Sequence, residues 1–197
     1  MKRFVITLAI LLASILFTSS FAIAEEAMLD RIGIDVAFQD PGEEYTAPIY
    51  SWNIRTQSFL TNDLSLDFRT GYMTGVSDRV DEIIDVNIIP LEVGLTKSSN
   101  INSKSRFYIG GGIGRYLFYE HNRLKDYGLT IKVDDTTGAY GKCGFESDAG
   151  QNFSLFVELR YTYLKPEAKA CFYGHKIAED KADLSGLGGS VDIMYRF

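Results

Sequence analysis

Strict alternation of apolar and polar side chains is the feature that most constrains this chain. In FSLFVELRYTY, residues 153–163, the odd positions are aromatic or aliphatic and the even positions are mostly small, polar or charged. The last eight residues, SVDIMYRF, alternate in the same way and end on Phe197. A period of two sends successive side chains to opposite faces of a β-strand. The sequence therefore predicts an all-β fold.

Eight segments share this alternation, and the connections between them alternate in length. The segments cover roughly 30–40, 49–61, 64–75, 85–97, 105–118, 136–147, 151–164 and 184–197. Short turns follow the second, fourth and sixth segments, whereas long, charged connections follow the first, third, fifth and seventh. With an even number of strands, all short turns and both termini lie at one end. We therefore predict an eight-stranded antiparallel up-and-down β-barrel.

The start of the chain predicts export. Lys2 and Arg3 precede an apolar run of 14 residues from Phe4 to Phe17, and small residues follow at Ala22 and Ala24. This order is typical of a secretory signal peptide. An uncleaved membrane anchor is the alternative, but a spanning helix needs about 20 apolar residues. We predict a signal peptide over 1–24 and a barrel over 25–197.

Alternation alone does not say which face of the barrel points outward, because a soluble lipocalin-like barrel has the same period. Three features favour a transmembrane barrel. The polar face is rich in glycine and serine, aromatic residues gather near segment ends as interfacial girdles do, and charges of both signs share the polar face. Buried charges must be matched. The expected lumen charge network comprises Arg55, Asp67, Arg69, Glu92, Glu158, Arg160 and Asp192.

One residue does not fit the pattern. Arg115 shares its parity with Ile109 and Ile113, so it would face lipid. Either Arg115 lies at the external boundary, or the neighbouring glycine run, 110–114, contains a β-bulge that reverses the parity. We favour the bulge.

Several motifs resemble a known group of proteins. NIIPLEVGLT, RFYIGGGIGRY, LFVELRYTY and DLSGLGGSVDIMYRF resemble the small bacterial outer-membrane β-barrel domain family, which includes the OmpA barrel, OmpX and OmpW-like proteins. The resemblance implies a monomer in the cell outer membrane, surrounded by outer-membrane lipid and lipopolysaccharide. It also implies that the barrel-assembly machinery recognises the last strand through Val191, Ile193, Tyr195 and Phe197.

Other functions find less support in the sequence. The net charge of −6 argues against a nucleic-acid partner. The glycine run lacks the third glycine of a dinucleotide motif, and the acidic loops lack metal-ligand spacing, so no cofactor is expected. The only histidines, His121 and His175, have no serine beside them, so we expect no enzyme. A structural or surface-interaction protein is the first hypothesis. A narrow channel for small or apolar solutes and a lipid-modifying enzyme are the alternatives.

Overall fold

The computed structural model describes residues 29–42, 48–76, 84–122 and 128–197, so the predicted signal peptide lies outside the described residues. Eleven strands run through these residues. They are Arg31–Asp40 (β1), Ile49–Phe59 (β2), Leu64–Val76 (β3), Ile84–Asn100 (β4), Ser105–Asn122 (β5), Leu129–Val133 (β6), Thr136–Asp148 (β7), Phe153–Tyr163 (β8), Glu167–Phe172 (β9), His175–Lys181 (β10) and Gly186–Arg196 (β11). No described segment is a helix with the length and hydropathy that spanning a bilayer requires.

Eight of these strands close into a barrel in the order β1-β11-β8-β7-β5-β4-β3-β2. Every neighbouring pair is antiparallel, and the last strand pairs with the first from Arg31↔Arg196 to Asp40↔Leu187. When cross-strand partners are followed once around the barrel, the path starts at Arg31 in β1 and arrives at Gly186 in β11. Gly186 lies one position beyond Leu187, whose partner on β1 is Asp40, so the path returns to β1 about ten residues from its start. This offset of about ten residues tilts the strands, as closure of eight strands requires. The predicted fold class is confirmed.

The main difference from the expected organisation is in two of the long connections. These connections contribute β6, β9 and β10, which form a separate sheet in the order β10-β9-β6. The sheet lies at the end of the barrel where the long connections join. The sequence did not reveal these strands because they are short and β10 is exposed along its whole length. An element that buries neither face needs no alternation of hydropathy.

The two faces of the barrel wall differ sharply in chemistry. Outward side chains are apolar and exposed, as Val36, Val157 and Ile193 illustrate at 64%, 60% and 54%. Inward side chains at the middle of the strands are mostly polar or charged and buried. An apolar outer wall around a charged interior suits a barrel surrounded by lipid.

The prediction of a β-bulge near Arg115 is wrong. The β4–β5 register is unbroken from Ile84↔Asn122 to Asn100↔Arg106, and the parity therefore does not change. Arg115 is exposed on the outer wall and its Nη1 donates a hydrogen bond to Thr137 Oγ1 at 3.4 Å. Thr137 lies at the start of β7, beside the long connections. At that height an arginine side chain can reach the membrane–water interface.

Candidate functional site: the charged lumen of the barrel

Arg55 occupies the centre of the lumen and contacts three carboxylates. Its Nη1 donates hydrogen bonds to Asp192 Oδ2 at 2.8 Å and to Glu158 Oε2 at 3.3 Å, and its Nη2 donates to Asp67 Oδ2 at 3.1 Å. All four side chains are at most 3% exposed. Buried charges of this kind persist only when they are paired.

Two further cations extend this set of ion pairs across the barrel. Lys142 Nζ lies 2.5 Å from Asp67 Oδ2 and 3.5 Å from Glu158 Oε2. Arg69 forms an ion pair with Asp35 and lies 3.8 Å from Glu158. The lumen is therefore bridged from β1 to β8 by connected charges.

Glu92 and Arg160 form a neighbouring pair on the same level. Arg160 Nη2 donates to Glu92 Oε1 at 2.6 Å, and Tyr116 Oη donates to the same oxygen at 2.8 Å. The guanidinium of Arg160 lies 3.8 Å from the centroid of the Tyr140 ring. We call the nine charged residues of this level the charged layer. They are Asp35, Arg55, Asp67, Arg69, Glu92, Lys142, Glu158, Arg160 and Asp192.

The structure places all seven residues of the expected lumen network in this charged layer. Five of them, together with Asp35 and Lys142, form one connected set of ion pairs. The five are Arg55, Asp67, Arg69, Glu158 and Asp192. Glu92 and Arg160 form their own pair beside that set.

An apolar cluster fills the external end of the lumen. It consists of Ile49, Met73, Ile88, Tyr116, Leu164 and Leu184, with Phe118 packed against it. These residues were not predicted, because the inward face changes from polar to apolar toward the external end of the barrel. Their parity was the available signal, since Met73 shares its face with Arg69 in β3. We call this group the external apolar cluster.

Arginines gather at the short-turn end. Arg31 Nη1 lies 2.8 Å from Glu146 Oε1, and Arg196 Nη2 lies 2.7 Å from Asp148 Oδ1 and 3.7 Å from the same Glu146 oxygen. Arg31 is 1% exposed and was missed from the sequence, although it shares its parity with Asp35. Tyr108, Phe156 and Met194 form a second apolar cluster in the lumen.

A cavity of about 30 Å³ lies where the charged layer meets the external apolar cluster, and Arg69 and Arg160 of the layer are among its lining residues. Asn53, Ser190, Glu92, Met73 and Tyr116 are among the residues that line it. The volume matches roughly one water molecule. Within the described part of the chain, no three histidine, cysteine or acidic side chains are arranged to hold a metal ion.

The predicted assembly residues lie at the seam of the barrel. Val191, Ile193 and Tyr195 face outward from β11, and Phe197 is 68% exposed just beyond it. The Tyr195 ring packs edge-on against Phe153 and Phe197, each at 5.4 Å between centroids. Their recognition by assembly machinery stays a prediction.

The long connections carry their own ion pairs outside the membrane-spanning strands. Lys165 Nζ lies 2.5 Å from Asp183 Oδ2, and this hydrogen bond lowers the pKa of Asp183 to about 2. Lys169 pairs with Asp134 and links β9 to the end of β6. His175 is exposed in β10. The Lys169–Asp134 pair stabilises the sheet formed by β6, β9 and β10, which we call the external sheet.

An apolar wall, a paired charged lumen and closure of eight strands define a bacterial outer-membrane β-barrel protein. The sequence profile described as the OmpW family matches residues 58–197, and the chain belongs to that family. No curated protein sequence matches the chain.

Solved structures support the same fold. The outer membrane protein OprG from Pseudomonas aeruginosa has a TM-score of 0.72 and 13% identity, covering 87% of this chain and 97% of that one. The outer membrane protein AlkL has a TM-score of 0.61 and 14% identity, covering 88% and 92%. The outer membrane protein W of E. coli has a TM-score of 0.54 and 16% identity, covering 87% and 100%.

Proposed function

We propose that this protein is a closed outer-membrane barrel with a structural or surface-interaction role rather than an open pore. The observation that carries the proposal is the charged layer, which crosses the lumen with ion pairs between non-neighbouring strands, such as Arg69–Glu158 and Lys142–Asp67. A solute moving along the axis would have to separate these buried pairs. Removing one partner of a buried pair costs about 3–5 kcal/mol, so the layer resists opening.

The external sheet supports the surface-interaction part of the proposal. Phe172, Tyr173 and Ile177 expose 47%, 73% and 60% of their surfaces at the β9–β10 hairpin. Exposed aromatic side chains with few rotatable bonds are effective contact residues in protein recognition. We propose that lipopolysaccharide and outer-membrane lipid surround the apolar outer wall of the barrel. We propose no catalytic role, since His175 is exposed in β10, a strand in which no residue is buried.

Conductance across planar bilayers tests the closed lumen. We expect the purified protein to insert without producing current steps. Arg69→Ala removes a cation of the charged layer, whereas Lys97→Ala alters an exposed side chain at the short-turn end and serves as the control. Current steps in the natural protein that change with Arg69→Ala but not with Lys97→Ala would contradict the proposal and support a channel.

The external apolar cluster favours a second candidate, a narrow route for small or apolar solutes. Six buried apolar side chains form the cluster beside the cavity at the external end. Met73→Arg would place a charge there, while Met73→Leu keeps the site apolar and of similar volume. Slower entry of a small apolar solute with arginine, but not with leucine, would support this candidate. Equal rates for both variants would contradict it.

A further inference from the structure

Three arginines converge on one carboxylate oxygen at the short-turn end of the lumen. Arg31 Nη1, Arg196 Nη2 and Arg106 Nη1 lie 2.8, 3.7 and 3.9 Å from Glu146 Oε1. They belong to β1, β11, β5 and β7, which are not all neighbours in the barrel, so the side chains meet across the lumen. We call these four residues the arginine cluster.

The arginine cluster has a surplus of positive charge. Besides Glu146, the only carboxylate that its arginines contact among the described residues is Asp148, which accepts a hydrogen bond from Arg196 Nη2 at 2.7 Å. Three guanidinium groups therefore share two carboxylates. Two other acidic groups lie nearby, the terminal carboxylate and Asp30, whose side chain accepts from the amide of Phe59. Neither forms an ion pair with the described arginines.

The charged layer has the opposite surplus, but it lies on another level of the lumen. Its four cations face five carboxylates. In β11 the two levels are represented by Asp192 and Arg196, which are about 13 Å apart along the strand. Between them lies the second apolar cluster of Tyr108, Phe156 and Met194. The carboxylates of the layer therefore cannot accept hydrogen bonds from the arginine cluster.

Several donors of the arginine cluster have no acceptor. Arg31 Nε and Arg196 Nε are buried and donate no hydrogen bond to a described residue. Arg106 has a single described contact, the ion pair with Glu146 at 3.9 Å. Glu146 Oε1 itself accepts no aligned hydrogen bond, although Arg31 Nη1 is only 2.8 Å away. Donors without acceptors cost free energy, so a further acceptor would stabilise this end of the barrel.

The arginine cluster is accessible from the short-turn mouth of the lumen. The side chains of Arg106 and Arg196 are 28% and 33% exposed, whereas those of Arg31 and Glu146 are 1% and 3% exposed. A ligand entering the mouth can therefore contact two guanidinium groups and has a third behind them. Guanidinium groups bind phosphate oxygens through paired N–H donors. A phosphate group supplies both the negative charge and the acceptors that the cluster lacks.

We propose that the short-turn mouth of the lumen binds one phosphate group between Arg106 and Arg196. The group is either free phosphate or the phosphodiester of a phospholipid headgroup. It accepts hydrogen bonds from both side chains and compensates the surplus positive charge, to which Arg31 contributes from the interior. This site goes beyond the proposed function and does not depend on whether the lumen conducts.

Thermal unfolding in phosphate tests the site. The protein, folded in a non-ionic detergent, is heated in increasing sodium phosphate or in sodium chloride at equal pH and ionic strength. A ligand that binds the folded state raises its stability with concentration. We therefore expect a melting temperature that rises and saturates in phosphate but not in chloride. Equal melting temperatures in the two salts, together with no response to phosphatidylglycerol, would overturn the proposal.

A lipid titration distinguishes the two sources of phosphate. Phosphatidylglycerol is added to the same micelles at low molar fraction, and diacylglycerol with the same acyl chains serves as the control. A higher melting temperature with phosphatidylglycerol but not with diacylglycerol would support a headgroup as the ligand. A response to inorganic phosphate alone would support a soluble anion in the same site.

Variants separate the site from general charge effects. Arg106→Gln removes one guanidinium group without breaking a short ion pair and should raise the half-saturating phosphate concentration about tenfold. Lys104→Gln removes the same charge from the exposed turn beside it and should leave that concentration unchanged. Arg106→Lys keeps the charge, should raise the concentration less, and serves if Arg106→Gln does not fold. An equal increase in Lys104→Gln, or no increase in either Arg106 variant, would overturn the proposal.

Discussion

At the scale of single residues, Arg55 and Asp67 illustrate how the charged layer depends on each member. Arg55 serves three carboxylates, and Asp67 accepts from Arg55, Lys142 and Thr96. Both side chains therefore contact several charged or polar partners at once. The loss of one group therefore strands others in a low-dielectric interior, where unpaired charge is most costly.

Replacement of Asp67 by alanine is expected to lower the free energy of unfolding by about 3–5 kcal/mol, because Arg55 and Lys142 lose a buried partner. Urea titration of the protein folded in detergent measures the change. Lys165→Gln is the control, since its pair with Asp183 is partly exposed and solvent screens such pairs, so they contribute little to stability. Similar losses for the two variants would mean that the charged layer is solvated rather than buried.

Residue parity alone located much of this site. Asp67 and Arg69 were predicted to face inward because they alternate with Leu66 and Phe68, and the structure places them so. Parity could not predict the hydrogen bond from Tyr116 to Glu92, which links strands whose register the sequence does not state. Parity does place Met73 on the inward face, but it could not indicate that the inward apolar residues of several strands form one cluster.

At the scale of strands, glycines decide how closely neighbours approach in the wall. A Cβ added at Gly112 in β5 would lie 2.1 Å from the carbonyl oxygen of Val93 and 2.6 Å from Gly94 Cα. A Cβ at Gly141 in β7, on the outward face, would have no heavy atom within 4 Å. Two glycines on adjacent strands thus have opposite tolerance for a side chain.

Gly112→Ala should destabilise the barrel by about 1–3 kcal/mol, because the new methyl group forces the β4 backbone away. Gly141→Ala is the matched control and should leave stability unchanged within the error of measurement. Unfolding midpoints of the two variants in urea provide the comparison. A neutral Gly112→Ala would show that β4 and β5 are less tightly paired than described.

The last strand makes a separate prediction about assembly. Phe197→Ala and Tyr195→Ala are expected to reduce the amount of folded protein in the outer membrane of cells several-fold, since the outward residues of β11 resemble an assembly signal. Refolding of the same purified variants in detergent should be much less affected. Leu187→Ala, outward at the opposite end of β11, serves as the control. Equal cellular levels for all three variants would contradict the assigned signal.

Strand boundaries were predictable where both faces of a strand have distinct surroundings. The barrel strands agree with the expected segments to within a few residues, except that β4 and β5 extend further. Their extensions carry no strict alternation, because part of each strand lies outside the apolar band. The strands β6, β9 and β10 were not predicted for a similar physical reason. Their side chains are half-buried or exposed, so neither face of these strands requires apolar residues.

At the scale of the whole molecule, the barrel combines local pairing with one long-range closure. Seven of the eight seams join strands that are neighbours along the barrel's own sequence order, whereas β1–β11 joins its two ends. The orientation of the barrel wall, with apolar residues outward and polar residues inward, could be predicted because glycine, serine and paired charges share one face. The contents of the external end could not, since loop residues contribute Leu184 and Leu164 to it.

Closure of this kind predicts resistance to cold detergent. On a denaturing gel the protein from the outer-membrane fraction should run at a shifted position unless it is boiled, because no strand edge is open to unfolding. A variant lacking residues 186–197 should run at one position regardless of heating. Absence of a shift in the full chain would contradict a closed barrel.

The seam between β1 and β11 also acts as a check on complete synthesis. Arg31 finds its partner across the closing seam only when Arg196 has been made, so a chain cut short by premature termination leaves β1 and β8 with unpaired amide and carbonyl groups. Hydrocarbon cannot satisfy these groups. A truncated product is thereby barred from the bilayer and left in water, where proteases can remove it. Closure of the barrel thus makes membrane insertion depend on completion of the last strand.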